Sequence, residues 1–478
     1  MDDEKEHVAG IVEKIEREQD DPKVDFDAAA AASTAREDRL VRRIDFRVLP
    51  TLGIIFAVSI IDRINIGSAK VLGMSEDLAL TGNRYNVCLL LFFPAYFLAE
   101  LPSNYLLVKF SPAIWLTFLM FSWGAVITGM GFIAHEWRAL AFLRFLLGAF
   151  EGGVLPAAVY IISSWYCRYE IHRRIGWTYS VGVLSSAFSG LLAYGLGLMG
   201  GIRNMKGWRW IYAVEGGATM AIAVVCFFFL PPFPEKARFL KADDKELYLA
   251  RLDRDRGNHA TEPITRKVLK ETFCDWTTWV TWLLFSFTNS STYALAFFVP
   301  SILNGMGYTG LKASLYSAWP YFPAIGVLWL GSYISDKIRM RIPIIIVQSV
   351  IMIVGFILLR AQYSNEVRYL GVFLATIGCQ CNVPAQLSLA QTNAVGSARR
   401  SIMAVVTIWG GACGGIIGSL IFRTQDAPQY APGLYTSIAM TACVIVGMTG
   451  LGSYYHISNK RADEGILIHG TEGYRYSL

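Results

Sequence analysis

Charged residues are scarce in this sequence. Asp, Glu, Lys and Arg make up 17% of the 478 residues, whereas they account for about 25% of an ordinary soluble domain. A soluble chain of this length would need more charge to cover several water-facing domains. Apolar runs of about 20 residues, the length that crosses a bilayer as a helix, recur along the chain. The composition therefore predicts an integral membrane protein surrounded by a lipid bilayer.

Signatures of enzymes and of cofactor sites are also missing. The sequence has no GxxxxGK[ST] after a strand, which leaves an ATP-driven pump without support, and no HExxH or serine-triad pattern. Cys379 and Cys381 lie close together, but no second Cys or His cluster would complete a zinc site with them. The basic residues form no single patch or repeated stripe, so nothing indicates a nucleic-acid partner. We expect neither an enzyme nor a cofactor or metal site.

Twelve apolar segments, numbered here as spans 1 to 12, are arranged six on each side of a long polar segment. They cover residues 48–68, 86–108, 112–133, 138–165, 176–199, 209–230, 276–301, 313–334, 342–361, 367–392, 402–423 and 434–456. The remaining segments predict the following organisation: an N-terminal tail (1–47), a six-helix bundle (48–230), a central loop (231–275), a second six-helix bundle (276–457) and a C-terminal tail (458–478). We expect the first tail to be disordered except near its end. Because that tail is polar, span 1 is expected to act as an internal signal-anchor and not as a cleaved signal peptide.

Lys and Arg are distributed unevenly among the loops. They concentrate in the two tails and the central loop, and further basic pairs and runs on the same side are Arg173–Arg174, Arg399–Arg400 and DKIRMR at 336–341. Since cytoplasmic loops carry an excess of Lys and Arg, we expect both termini in the cytosol. Two halves of six helices match the major facilitator layout, in which substrate binds between the halves near the midplane. The layout alone leaves another polytopic fold open.

Ionisable residues inside the spans are concentrated in the first half. Span 1 holds Asp62 and Arg63, while span 4 holds Arg144 and Glu151, which are seven residues apart and therefore share a helix face. A charge near the bilayer centre costs at least about 2.5 kcal/mol on insertion scales. The four charges sum to zero, and mutual pairing would lower their burial cost.

Two interpretations of these four charges are open. In one, they form a static ion-pair network that holds spans 1 and 4 together. In the other, Arg63 and Arg144 bind an anion, because forked guanidinium donors suit a carboxylate, and Asp62 or Glu151 carries a proton. Protonating either carboxylate would free an arginine and leave the site positive, so proton and anion would favour each other's binding. That linkage is the thermodynamic basis of symport.

Other polar residues within the spans give weaker indications. Glu100 near the end of span 2 is interpreted as a gate or loop anchor, and Glu215 in span 6 as part of a helix-packing segment with Gly216 and Gly217. In the second half, several polar or aromatic residues are candidate substrate contacts, although such side chains also hold helices together. They are Asn289, Tyr293, Asn382, Gln386 and Trp409.

Five motifs together resemble the fungal anion:cation symporter (allantoate permease-like) family of the major facilitator superfamily. They are DRINIGSAK in span 1, ELPSNYLLVKFSPAIW across the loop between spans 2 and 3, RFLLGAFEGGVLPA in span 4, PPFPEKARFL after span 6 and DAPQYAPGLY before span 12. The resemblance implies an all-α membrane protein with 12 transmembrane helices in two pseudo-symmetric six-helix bundles. It also implies that Asp62 and Glu151 serve proton coupling, and that Arg63 and Arg144 bind the anion.

We therefore expect a secondary active transporter of a small organic anion, a carboxylate such as allantoate, nicotinate or pantothenate. It is expected to move the anion together with protons by alternating access, as a monomer in the plasma membrane. One alternative is an exporter of a secondary metabolite. A second alternative, from a different class, is a nutrient sensor that has lost transport.

Overall fold

Long helices form nearly all of the chain that the computed structural model describes. The described residues are 22–134, 136–237, 239–257, 265–338, 340–361, 364–464, 468 and 474–477. The first half consists of Pro22–Ala69 (span 1), Arg84–Leu90 with Phe92–Phe110 (span 2), Pro112–Gly131 (span 3), Trp137–Glu151 with Val154–Trp165 (span 4), Arg168–Gly197 (span 5) and Gly207–Phe229 (span 6). The central loop contains the helices Ala242–Gly257 and Arg266–Cys274.

The second half repeats this pattern of long helices joined by short turns. It consists of Trp276–Gly305 (span 7), Gly310–Ala318 with Tyr321–Ile338 (span 8), Ile342–Arg360 (span 9), Asn365–Thr392 (span 10), Ser397–Ile421 (span 11) and Ala431–Asp463 (span 12). Every apolar segment recognised in the sequence therefore coincides with a helix or with a pair of consecutive helices.

The helix of span 1 begins earlier than its apolar run. It starts at Pro22, within the segment expected to be a mostly disordered tail, and continues to Ala69. The Ala run at 28–32 has high helix propensity. Arg36 in the same helix donates a hydrogen bond of 2.7 Å to Asp244 of the central loop. The expectation of disorder for residues 1–21 lies outside the described residues.

Nine helices in the described part of the chain are long and apolar enough to cross a membrane, and a bent pair in span 2 makes a tenth. That pair bends by 49° between Glu100 and Pro102, because a proline ring clashes with the preceding helical turn and removes a hydrogen bond. Span 7 is less apolar because it contains many Ser and Thr residues. Span 8 is divided by a turn at Trp319 and Pro320.

The helices of the first half approach one another closely where glycine lies at the contact. On Gly216 of span 6, a Cβ would lie 2.5 Å from the backbone nitrogen of Thr128 in span 3. On Gly148 of span 4, a Cβ would collide with the carbonyl oxygen of Phe92 in span 2. These contacts set span 6 close to span 3 and span 4 close to span 2.

The two halves contact each other at the end of the bundle where span 1 finishes and span 2 begins, called here the far end. Asn86 of span 2 donates hydrogen bonds to the carbonyl oxygens of Ser419 (2.6 Å) and Phe422 (2.7 Å) in the second half. Gly67 lies so close to span 7 that a Cβ would be 2.7 Å from the carbonyl oxygen of Phe297. Main-chain oxygens thus hold the halves together at this end.

A charged side chain stabilises the loop that follows span 1 at the far end. Asp77 accepts hydrogen bonds from the Lys206 ammonium group and from Nε1 of Trp208, the latter at 2.9 Å. Burial alone would raise the pKa of Asp77, but these two hydrogen bonds outweigh burial and lower it. Asp77 therefore stays ionised over a wide pH range and ties this loop to the start of span 6.

Ion pairs cluster at the opposite end, called here the tail end, which carries the central loop. Arg174 of span 5 pairs with Asp45 at 2.7 Å, and Arg251 of the central loop pairs with Glu170 at 2.7 Å. Burial alone would lower the pKa of Arg251, but its hydrogen bond to Glu170 and the attraction of that carboxylate raise it. The Arg251–Glu170 pair attaches the central-loop helix Ala242–Gly257 to span 5, while the Arg174–Asp45 pair joins span 5 to the helix of span 1.

Candidate functional site

Four charged side chains of spans 1 and 4 lie inside the first half. Asp62 and Arg144 are 1% exposed, Arg63 is 5% exposed and Glu151 is 0% exposed. Arg144 and Glu151 occupy the inward face of span 4, two turns apart. Because removing four charges from solvent is costly unless each is paired or hydrogen-bonded, the bonds that each makes are informative about its role.

Arg63 and Glu151 form an ion pair between spans 1 and 4. The Nε and Nη2 atoms of Arg63 donate to the same oxygen, Oε2 of Glu151, at 3.1 Å and 2.9 Å. The hydroxyl of Ser59, one turn earlier in span 1, donates to this oxygen at 3.2 Å. Oε1 of Glu151 has no hydrogen-bond partner among the described residues. The glutamate is therefore held through one oxygen only, and the arginine is not held in a two-oxygen fork.

Arg63 also contacts the second half. Its Nη1 atom donates to the hydroxyl of Tyr293 in span 7 at 3.2 Å. The guanidinium carbon lies 5.1 Å from the ring centre of Phe92 and 5.0 Å from that of Tyr96, both in span 2. At these distances the rings attract the cation. The Arg63 side chain thus lies where spans 1, 2, 4 and 7 meet, at the boundary between the halves.

Asp62 points away from the Arg63–Glu151 pair, because consecutive side chains on a helix diverge by about 100°. Its Oδ2 atom accepts hydrogen bonds from Nε1 of Trp123 in span 3 at 3.0 Å and from the hydroxyl of Thr219 in span 6 at 2.9 Å. Its Oδ1 atom has no partner in the part of the chain that is described. Asp62 therefore lies inside the first half, away from the boundary between halves.

Arg144 lies in the same interior and donates from Nη1 to the carbonyl oxygen of Arg63 at 3.2 Å. Its Nε and Nη2 atoms make no hydrogen bond with any described residue, although Tyr212 of span 6 is an electrostatic neighbour. The structure therefore pairs two of the four charges with each other. Asp62 and Arg144 are instead held by neutral groups and a backbone carbonyl, so the mutual pairing expected from the sequence forms only in part.

The candidate contacts of the second half lie at different places. Tyr293 contacts Arg63, as described above. The amide of Asn289 donates to the carbonyl oxygen of Phe285 in its own helix at 3.0 Å. Trp409 of span 11 places its ring 5.3 Å from that of Phe97 in span 2, and its Nε1 atom has no partner among the described residues. Tyr293 and Trp409 therefore both face the first half.

Two amide side chains of span 10 connect helices within the second half. Gln386 donates to the hydroxyl of Thr288 in span 7 at 2.6 Å. Asn382 donates to the hydroxyl of Ser349 in span 9 at 3.1 Å. In this arrangement both amides serve contacts between helices, since hydrogen bonds of this kind hold membrane helices together.

Several residues around the charges were not singled out in the sequence. They are Ser59, Tyr96, Trp123 and Thr219, each of which contacts Asp62 or Arg63 or the partner of one of them. A signal for Thr219 was present, because it lies four residues after Glu215 and so on the same helix face. No cluster of three His, Cys, Asp or Glu side chains within the described ranges could hold a metal ion.

Residues 52–419 match the family described as Major Facilitator Superfamily. Among curated proteins, the chain is 32% identical to the MFS transporter prlL of Fungal sp. (strain NRRL 50135), over 96% of this chain and 94% of that protein. It is 31% identical to the major facilitator-type transporter hxnP of Emericella nidulans, over 90% and 88%. It is 28% identical to the high-affinity nicotinic acid transporter of Saccharomyces cerevisiae, over 87% and 77%.

Solved structures share the fold at low sequence identity. A bacterial homologue of the human lysosomal transporter Spinster, inward-facing and unoccupied, aligns with a TM-score of 0.65 and 17% identity over 84% of this chain and 95% of that chain. The proton:xylose symporter XylE bound to 6-bromo-6-deoxy-D-glucose aligns with a TM-score of 0.67 and 12% identity over 86% and 95%. The fold predicted from the sequence, an all-helical membrane protein of the major facilitator type, is confirmed. With this fold, a family match over most of the chain and curated relatives that are transporters, the protein is a multi-pass membrane transporter that belongs to the Major Facilitator Superfamily.

Proposed function

We propose that this transporter carries a small organic anion together with protons, as members of the allantoate permease-like family do. The proposed substrate is a carboxylate such as allantoate, nicotinate or pantothenate. The observation that carries the proposal is the Arg63–Glu151 ion pair at the boundary between the two halves. Similarity to a nicotinic acid transporter along most of the chain supports the substrate class.

The ion pair provides a way to couple the binding of a proton to the binding of an anion. While Glu151 is ionised, its Oε2 atom occupies Nε and Nη2 of Arg63. A proton on Glu151 would remove the charge that holds the arginine, and a substrate carboxylate could then take its place with a two-oxygen fork. Because the bound anion would in turn stabilise the protonated glutamate, the two ligands bind cooperatively. We assign proton coupling to Glu151 on this basis, and we propose Asp62, the buried carboxylate next to Arg63 in the chain, as a second proton-coupling residue.

Arg144 is proposed as the second anion-binding cation. Its Nη1 donates to the Arg63 backbone, so a displacement of span 1 at Arg63 would reach it directly. Its Nε and Nη2 atoms, which have no partner among the described residues, could donate to an anion. Arg63 and Arg144 together would make the site net positive once one carboxylate is protonated.

Access to the site is proposed to alternate by movement of the bundle 48–230 against the bundle 276–457. A cavity between spans 1, 5, 7 and 8 measures about 20 Å³, which is room for about one water molecule. Arg63 and Arg144 are themselves buried, so a carboxylate substrate could reach them only if the halves separate. Tyr293 would contact it from the second half, and Asn289, Asn382, Gln386 and Trp409 are proposed as further contacts in states where the helices have moved.

We also propose the membrane, the orientation and the oligomeric state of the transporter. Both termini are placed in the cytosol, on the side that carries the basic central loop, and the membrane is the plasma membrane. A single chain contains both bundles, so a monomer would suffice.

Uptake into vesicles tests the proposed function. The purified full-length protein is reconstituted into liposomes, and radiolabelled allantoate, nicotinate and pantothenate are supplied separately, with and without an inward proton gradient. We expect at least one anion to accumulate only when the gradient is present. Uptake that ignores the gradient would contradict proton coupling, and efflux without uptake would favour the exporter. No movement of any of the three anions would contradict the proposed substrate class.

A further inference from the structure

Glu215 of span 6 is a buried carboxyl group with no hydrogen-bond partner in the described chain. Its side chain is 6% exposed, and neither carboxylate oxygen has such a partner. An isolated ionised carboxylate inside a membrane protein is costly, and intramembrane carboxyl groups usually have a function. The helix-packing role expected for this segment belongs to Gly216, which contacts span 3. It leaves the carboxyl group itself unexplained.

Glu215 and Asp62 lie on facing sides of spans 6 and 1. Thr219, one turn after Glu215 on the same face, donates to Oδ2 of Asp62 at 2.9 Å. Glu215 and Asp62 also interact electrostatically. Oδ1 of Asp62 has no partner among the described residues, like both oxygens of Glu215. The two carboxyl groups are thus neighbours in one buried polar region, with Thr219 on the face of Glu215 and bonded to Asp62.

No basic group forms an ion pair with either carboxylate in the described part of the chain. Arg63 is paired with Glu151. Asp62 interacts electrostatically with Glu151 and Arg144 but forms no ion pair with either of them. Tyr212 on the same helix as Glu215 is neutral and an electrostatic neighbour. The pair would therefore hold two negative charges if both groups were ionised.

The other described helices packed against span 6 bring no positive charge that would neutralise the two carboxylates. Span 3 has no ionisable residue. Span 5 has only two ionisable side chains, Tyr179 and Tyr194, between Gly176 and Gly197. The amine of Lys70, in the turn after span 1, lies 4.1 Å from the ring centre of Tyr85 in span 2.

We propose that Glu215 is a positioning residue for proton coupling, which acts by sharing a proton with Asp62. Two interacting carboxylates resist ionising together, so the pair retains one proton where Asp62 alone would lose it. Asp62 is the chain neighbour of Arg63, whose carbonyl receives Arg144, so the charge state of the pair acts directly beside both proposed anion-binding groups. This inference rests on the proposed proton-coupled transport and adds Glu215 to it.

The test is the pH profile of Glu215→Gln in liposomes, with radiolabelled nicotinate, allantoate and pantothenate as probes. The variant keeps the shape of the side chain and removes its ionisation. We expect exchange of labelled for unlabelled anion to persist, while half-maximal accumulation moves toward acid by about one pH unit. Glu136→Gln is the control, because Glu136 is an exposed carboxylate that lies outside the spans. Its profile should match the wild type, and Glu215→Asp should restore the wild-type profile. An unchanged profile in Glu215→Gln would overturn the proposal.

A measurement without substrate separates this inference from the proposed function. Infrared spectra of the full-length protein in nanodiscs report protonated carboxyl groups during a pH titration. In the wild type, Asp62 and Glu215 should lose protons in two separate steps. In Glu215→Gln the step of Asp62 should move toward acid, and in Asp62→Asn the step of Glu215 should move in the same direction, because each group loses the repulsion of the other. If the remaining step stays at its wild-type pH in both variants, the two groups are not coupled, whatever the uptake screen finds. If the steps behave as expected while no anion is transported, the proposed function fails and the pair stands.

Discussion

The interiors of the two halves differ in charge. Within the described residues, the first half buries acidic and basic side chains in spans 1, 2, 4 and 6, namely Asp62, Arg63, Glu100, Arg144, Glu151 and Glu215. Over the same described chain, the buried polar side chains of the second half are all neutral: Ser, Thr, Asn and Gln. Two related sets of six helices therefore have different electrostatic interiors.

This difference suggests a division of tasks between the halves. A neutral amide such as Gln386 is satisfied by one hydroxyl in the next helix, and its bond does not respond to pH. An ion pair such as Arg63–Glu151 changes its strength by several kcal/mol when the glutamate gains a proton. Under the proposed function, the first half therefore responds to protons, and the second half provides contacts that stay constant through the cycle.

Among the variants that test this difference between the halves, Arg144→Ala is expected to have the largest effect. Truncating one partner of a buried charged contact costs about 2 kcal/mol or more, so nicotinate, allantoate or pantothenate uptake should fall at least about thirtyfold with surface expression intact. Arg138→Ala, an exposed arginine in the same helix, should leave uptake unchanged. Normal uptake by Arg144→Ala, measured in intact cells, would remove Arg144 from the site.

A second test separates binding from coupling in the charged half. In Glu151→Gln, exchange of labelled for unlabelled anion should continue, because Arg63 is no longer held by a carboxylate. Accumulation driven by a pH gradient should fall by about 5- to 150-fold, the usual range of coupling between two ligands. Glu136→Gln, an exposed carboxylate just before the same helix, is the control. Accumulation that still follows the pH gradient would argue against a proton role for Glu151.

The smallest effect is expected from the neutral half. Tyr293→Phe removes the hydroxyl that accepts a hydrogen bond from Arg63 at 3.2 Å. Losing one such bond costs about 1 kcal/mol, so the KM for the transported anion should rise about fivefold without a change in pH dependence. Tyr333→Phe, which alters an exposed tyrosine of span 8, serves as the control. A shift in the pH profile of Tyr293→Phe would contradict the division between responsive and constant halves.

The spans were predictable because their signal is local. A run such as LGIIFAVSII needs no partner to be recognised as membrane-spanning, since length and hydropathy decide whether a helix crosses a bilayer. The helix of span 1 exceeded its apolar run because helix propensity and the contact of Arg36 with Asp244 also stabilise its polar beginning. The role that we propose for Glu215 could not be predicted from the sequence, for the opposite reason. Its position before two glycines and near Thr219 indicates a helix face, but nothing in the local sequence says that Asp62 lies opposite.

The sequence by itself determined where the apolar helices lie, and that buried charge belongs to the first half, because both properties depend on residue type and order. Only the tertiary structure decided which side chains each buried charged residue contacts. Asp62 and Arg63 are neighbours in the chain, yet they point into different helix contacts: Asp62 meets Trp123 and Thr219, and Arg63 meets Glu151. Adjacent side chains on a helix diverge by about 100°, so their partners are chosen by the helices that pack on each face.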